Sequence, residues 1–220
     1  MRILFLSALV LLLGSLAFAQ VATIDTRGQQ PTGPEVSITQ GTGTSAGGGI
    51  GSKVLELKLT IPLFTNLIVG DPFDYELLIT NKSGKPIQLP QSVAWSDIDD
   101  GTEREQHYQR LDASFAIFGG GTALGVMSAN LVLYGKPSNP ATMVTLKPGD
   151  SLRILASANF QPAWSHPPEQ GMDIHLVAYV AVNSTRLRPR NAQADTYRSD
   201  EVQVYWARSQ SEQIMFQVPQ

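Results

Sequence analysis

The sequence predicts an all-β fold: a single antiparallel sandwich of eight or nine short strands behind a disordered N-terminal linker. Three observations carry this prediction. Apolar and polar residues alternate over short windows through most of the chain after residue 52. Turn signals rich in Gly, Pro, Asn and Asp separate those windows. No window beyond the N-terminal segment holds a convincing 3.6-residue apolar period, so no amphipathic helix is expected.

Residues 1–19 read as a secretory signal peptide. Arg2 supplies the charge, Ile3 to Leu16 is apolar apart from Ser7, Gly14 and Ser15, and Ala17-Phe18-Ala19 is a small-x-small cleavage site before Gln20. The apolar run is shorter than the ~20 residues of a comfortable bilayer span. No later run approaches that length, so no transmembrane segment is expected once the signal is removed. The chain has no cysteine, which excludes a lipid anchor at the cleavage site. An export signal without disulfide chemistry points to a bacterial periplasmic or extracellular protein. The sequons at Asn81 and Asn183 are then expected to be turn residues rather than glycan acceptors.

Residues 20–52 are rich in Gly, Ser, Thr, Pro and Gln and lack aromatics. Such a segment cannot bury enough apolar area to offset its ordering entropy, so a flexible linker is expected. Val36-Ser37-Ile38 is the one stretch in it suited to a short strand, and deleting residues 20–50 is expected to leave the melting temperature unchanged. The sandwich domain occupies residues 53–220, long enough for one sizeable core.

Its strands follow in order. In VLELKLTI, Leu55, Leu57, Leu59 and Ile61 share one face. In FDYELLIT, Phe73, Tyr75, Leu77 and Ile79 share one face while Asp74, Glu76 and Thr80 take the other. Pro72 stands at the start of that strand, where a missing N–H does least harm. Asn81-Lys-Ser-Gly84 ends it with turn chemistry, and Pro86-Ile-Gln-Leu89 resumes an extended path. The polar run Glu103 to Leu111 is expected to be one short helix or an irregular loop, within an extended acidic connection over 97–112. Short strands are expected at ASFAIF (113–118), ended by Gly119-Gly-Gly121, and at NLVLY (130–134). TMVTL leads through the Lys147-Pro-Gly-Asp150 turn into SLRILASA. DIHLVAYVAV places Ile174, Leu176, Ala178, Val180 and Val182 on one face, and EVQVYW and IMFQV close the chain. Trp206 shares its parity with Val202 and Val204 and is assigned to the core, whereas Arg186, Arg188 and Arg190 around Pro189 are read as a solvated loop.

VGDPFDYELLITNKSGKPI followed by VTLKPGDSLRI resembles the immunoglobulin-like and fibronectin-like β-sandwich modules of exported bacterial proteins. The shared pattern ends one strand on Asn and opens another with Leu-x-Pro-Gly-Asp-Ser, over about half of the ordered region. The resemblance implies an immunoglobulin-like antiparallel sandwich with an interaction or structural role. It supplies no active-site residue.

Charge excludes one class of partner. Loss of Arg2 with the signal leaves 15 of the 16 Lys and Arg against 19 Asp and Glu, so a nucleic-acid binder is not expected. Gly43-Thr-Ser45-Ala-Gly47 matches G-x-S-x-G, but it lies in linker text with no strand before it and no helix after it. Asp97, Asp99, Asp100 and Glu103 could offer oxygen ligands to Ca²⁺, although Gly101 comes one residue too early for an EF-hand. Arg104 and Arg110 also offer that cluster internal partners. His107, His166 and His175 lack the close pairing of a zinc site. Trp95, Trp164, Trp206, Tyr179 and Tyr205 could line a sugar-binding face. Trp164, in the Pro-rich loop NFQPAWSHPPEQG, is the candidate ligand-contact residue. The sequence therefore predicts a non-catalytic exported interaction or structural module of the bacterial cell envelope, needing no cofactor. Its expected partner is an envelope or secreted protein. A carbohydrate-binding module and a proteinase inhibitor with an extended loop are the alternatives.

Overall fold

The computed structural model describes residues 19–30, 33, 54–62, 67–99, 106–169, 171–191, 194–211 and 214–217. Residues 1–18 of the expected signal peptide, the Val36–Ile38 stretch and the G-x-S-x-G match lie outside the described residues. Among the described residues there are thirteen strands, two single 3-10 turns and no α-helix, so the fold is all-β as the alternation predicts.

One sheet is built around β4 (Pro72–Asn81), which pairs antiparallel with β2 (Leu55–Thr60) on one side and β9 (Ser151–Asn159) on the other. Beyond β9 lies β1 (Val21–Asp25), giving the order β1-β9-β4-β2. The predicted parity holds: Leu55, Leu57, Leu59, Phe73, Tyr75, Leu77 and Ile79 are all buried.

The second sheet is built from three long strands, β6 (Gln106–Gly119), β7 (Thr122–Gly135) and β11 (Asp173–Asn191). β12 (Ala194–Gln210) pairs with β11, the two-residue β10 (Ala163–Trp164) flanks β7, and β13 (Ile214–Gln217) joins β11 to β3 (Leu67–Ile68). A separate two-stranded ribbon pairs β5 (Ile87–Pro90) with β8 (Met143–Leu146). The inner faces of the two main sheets meet in one core. Leu111, Phe115, Ile117, Leu133, Leu176, Ala178 and Val180 from the second sheet close over the β4 face. Tyr75 packs edge-on against Phe115 at 5.0 Å between centroids, and its hydroxyl donates to the Ala129 carbonyl at 2.6 Å. The sheets are thus joined by a polar bond as well as by apolar burial.

The structure departs from the sequence reading at four places. The linker does not begin at Gln20, because Val21–Asp25 form a strand; its three-letter apolar content is enough once β9 offers a ladder. The 97–112 segment is not one irregular connection, and residues 106–111 are not helical. They extend the ASFAIF strand backwards, because β7 and β11 pair along both its sides. Arg186 to Arg190 are strand backbone rather than loop. Pro189 is tolerated there because the described β6 pairing stops at Leu187, leaving β12 as its one neighbour among the described strands. Finally, neither sequon Asn is a turn residue: Asn81 ends β4 and Asn183 lies inside β11, both buried.

Candidate functional site

The most informative geometry lies at the β1 edge of the first sheet. β1 runs parallel to β9 in a continuous register from Val21↔Ser151 to Asp25↔Leu155. Both ends are latched. The Ser151 amide donates to the Gln20 carbonyl at 2.9 Å, and the Thr26 amide to the Leu155 carbonyl at 2.8 Å. In a parallel ladder both backbone groups of a residue point to the same side, and the side alternates along the strand. Gln20 and Thr26 face β9, so Ala22 and Ile24 do too, while Val21, Thr23 and Asp25 turn their N–H and C=O away from the sheet. Ala22 and Ile24 also pack against the core. The Val21 side chain is 54% exposed.

The residues that carry the family resemblance build the start of this edge. The Lys147-Pro-Gly-Asp150 turn closes by Asp150 N–H to the Lys147 carbonyl at 2.9 Å, with Gly149 at φ 87°. Left-handed backbone of that kind favours glycine, which has no Cβ to clash. The Asp150 carboxylate accepts from Lys147 N at 3.0 Å and from Gln20 N at 2.9 Å. Asn81 is fully buried; its side-chain amide donates to the Lys85 and Leu146 carbonyls at 2.8 and 2.9 Å, and its oxygen accepts from Ser83. Strand-end Asn and turn Asp, distant in sequence, are joined by backbone bonds from Asn81 N to the Asp150 carbonyl and from Gly149 N to the Asn81 carbonyl, and through Asp150 they hold Gln20, the residue before β1.

At the far end of β1, Arg27 Nη2 and Nε lie 2.5 and 2.9 Å from the Asp25 carboxylate oxygens. This pairing holds the Asp25 carboxyl down at about 2.

The residues singled out in the sequence are dispersed. The Asp97 carboxylate accepts from the Ser92 hydroxyl, and Asp99 accepts from Trp95 Nε1 at 2.9 Å. Both are engaged by their own segment, which tightens into a 3-10 turn at Trp95–Asp97. Asp100 and Glu103 lie outside the described residues. Among the described residues no three acidic or histidine side chains group as a metal site. Trp95 packs edge-on to Tyr108 and Tyr134 at 4.9 and 5.3 Å, forming with Ile98 a small cluster on the outer face of the second sheet. Beside it, Arg110 and Asp112 pair at 2.9 Å with little exposure. Burial raises the Tyr134 hydroxyl pKa, opposed by the positive Arg110 and by a hydrogen bond from the Gly33 backbone.

Trp164 does not stand free in its loop. Its ring meets Phe160 edge-on at 6.1 Å and rests over Gly125, where a Cβ would come within 3.0 Å of it. Tyr205 packs against the core, while the Trp206 side chain lies outside the described residues. His107 and His166 are exposed in separate places, and His175 stacks on Phe118. The one element of this edge that sequence reading missed is β1. Its signal was the alternation Val21-Ala-Thr-Ile24-Asp, hidden by the linker composition that follows it.

No family model matches this chain, and no curated protein does. Among solved structures, an alkylpurine DNA glycosylase AlkC from Pseudomonas fluorescens aligns at TM-score 0.27 and 11% identity, over 69% of this chain and 30% of that one. A Bordetella pertussis protein described as ApaA aligns at TM-score 0.25 and 12% identity, over 74% of this chain and 91% of that one. This chain thus spans less than a third of the glycosylase. At such scores neither likeness bears on activity.

Proposed function

We propose that this chain is a non-catalytic, exported interaction module of a bacterial cell envelope, engaging another protein by strand addition at the edge of its first sheet. The immunoglobulin-like kinship and the periplasmic or extracellular location belong to the same proposal. The observation that supports it is the arrangement of β1. A short N-terminal segment lies on β9 as an added strand, and β1 ends the sheet with its outward N–H and C=O groups unpaired by any other described strand. An edge of this kind binds an extended segment through main-chain hydrogen bonds, while side-chain contacts select it.

The test uses the mature chain from Gln20 as bait in envelope extract, with mass spectrometry of the retained proteins. A Thr23→Pro variant removes one outward N–H and leaves the inward ladder of Ala22 and Ile24 in place. The proposal expects one specific protein retained by the parent chain and lost from this variant at unchanged melting temperature. Equal retention by both would place the interface elsewhere and overturn the edge reading. Retention of glycan alone would overturn the protein-partner reading.

A further inference from the structure

We propose that the outer face of the second sheet carries a binding site for a sugar bearing a carboxylate, independent of the strand edge. The site is a shallow cleft of about 340 Å³ lined by Phe118, His175, Val177, Tyr179, Arg208 and Gln210.

Register explains why these side chains converge. Ile174, Leu176, Ala178 and Val180 fill the core, so His175, Val177 and Tyr179 stand on the opposite face of β11. Phe118 on β6 is directly opposite His175; Arg208 and Gln210 on β12 are opposite Tyr179 and Val177. The cleft therefore spans three adjacent strands. It sits where the ladder beside β11 passes from β12 to β13: Val177 pairs with Gln210, but Ile174 pairs with Ile214. Ser211 marks the changeover, its amide donating to the Leu176 carbonyl at 2.8 Å and its hydroxyl accepting the Leu176 amide at 3.0 Å.

The lining has two chemistries. The Phe118 and His175 rings lie parallel, with 5.6 Å between centroids and 6° between planes, and Val177 forms a floor that is 9% exposed. These offer an aromatic and aliphatic wall to the C–H face of a pyranose. Tyr179 and Gln210 bring a hydroxyl and an amide that donate and accept, the pairing that sugar hydroxyls require. Arg208 is exposed and takes no ion-pair or hydrogen-bond partner among the described residues. A guanidinium is a planar fork of donors that fits a carboxylate in two parallel bonds. A fork with no partner among the described residues, beside an aromatic and aliphatic wall and two neutral polar groups, selects a ring with one apolar face, several hydroxyls and one negative charge. The volume lies at the lower end of ligand clefts, about 300–1,000 Å³, which suits one or two rings.

The site also relocates the sugar-face expectation. The sequence singled out Trp164 as the exposed ring, but Trp164 anchors β10. Among the aromatics named from the sequence whose side chains are described, Tyr179 is the one that lines this cleft.

The experiment titrates the mature chain from Gln20 with a galacturonic acid trisaccharide, and in parallel with a neutral glucose trisaccharide, following backbone amides by NMR. The proposal expects the acidic probe to shift amides of residues 117–119, 175–179 and 207–210 in a saturable way. Arg208→Gln, which touches neither the core nor the β1 edge, is expected to weaken the acidic probe about tenfold or more without moving the melting temperature, as loss of a charged hydrogen-bonding partner does. Phe118→Ser, on the same face, is expected to weaken it as well. The proposal is overturned if the acidic probe shifts nothing in these three segments, if the neutral probe binds equally well, or if Arg208→Gln binds like the parent.

Discussion

A buried Asn side chain destabilises a β-sandwich unless each polar atom finds a partner. Asn81 finds all of them: two carbonyls for its amide hydrogens and the Ser83 amide and hydroxyl for its oxygen. Removing it with Asn81→Ala strands the buried Leu146 carbonyl and is expected to cost roughly 1–3 kcal/mol in urea unfolding. Leu77 is fully buried at the centre of β4, and Leu77→Ala is expected to cost roughly 2–5 kcal/mol by transfer and cavity together. A loss well under 1 kcal/mol would mean that the β4 face is not packed as described. Asp25 offers a pH test. Its carboxyl is held down to about 2 from an ordinary 3.8, first by the Arg27 side-chain bond and then by the Arg27 backbone N–H. A depressed carboxyl pKa favours the folded state above the unfolded value, and the contribution is lost as pH falls from 3.8 toward 2. NMR titration of the parent chain is expected to place the Asp25 midpoint near 2, and Arg27→Ala to return it toward 3.8.

At the scale of elements, β1 is the strand that changes what the molecule is expected to do. Composition alone assigns Gln20 onward to a spacer whose deletion is silent, whereas the ladder to β9 and the Asp150 latch make residues 20–26 part of the sheet. Deleting residues 20–30 is therefore expected to lower the melting temperature by several degrees, because it uncovers the β9 backbone and the core under Ala22 and Ile24. The register can be checked directly, since the native chain has no cysteine. Thr23→Cys with Arg153→Cys, which are Cα partners, is expected to form an intrachain disulfide in the folded protein, and Thr23→Cys with Leu155→Cys to form far less. The β6–β7 hairpin shows the same economy. Gly119 pairs with Thr122, so Gly120 and Gly121 alone make the turn, at φ 56° and 80°. Positive φ at both central residues is the turn whose twist matches the flanking strands. Changing both glycines to Ala is expected to cost roughly 1–2 kcal/mol at each position.

Among the described residues one large core joins the two main sheets, and the small Trp95–Tyr108–Tyr134 cluster lies outside it. Both main sheets bury their faces against each other, and the Tyr75–Ala129 bond crosses between them. Unfolding by urea is thus expected as a single transition, coincident by far-UV circular dichroism and by tryptophan fluorescence. The pairings are mostly remote in sequence; β4 must find β9, and β1 must find it across some 130 residues. Topologies of that kind fold in roughly milliseconds to seconds, because loop closure precedes the contacts that reward it. Stopped-flow refolding is expected in that range. A microsecond phase carrying most of the amplitude would contradict the long-range topology.

The sequence by itself determined the class of fold and the parity of its strands. Period two fixes which side chains share a face, so Phe73, Leu77, Ile174 and Val180 could be assigned to the core from spacing alone. It also marked the end of β4 at Asn81-Lys-Ser-Gly84 and the turn at Lys147-Pro-Gly-Asp150. Only the tertiary structure decided who pairs with whom. Parity carries no information about partners, and a ladder is a bond between segments that sequence order does not make neighbours. For that reason Val21–Asp25 became a strand, residues 106–111 joined β6, and the two turn signatures met as a clasp. The cleft at Phe118, Tyr179 and Arg208 belongs to the same category. Its residues come from three strands and carry no common motif, so cross-strand register alone brings them together.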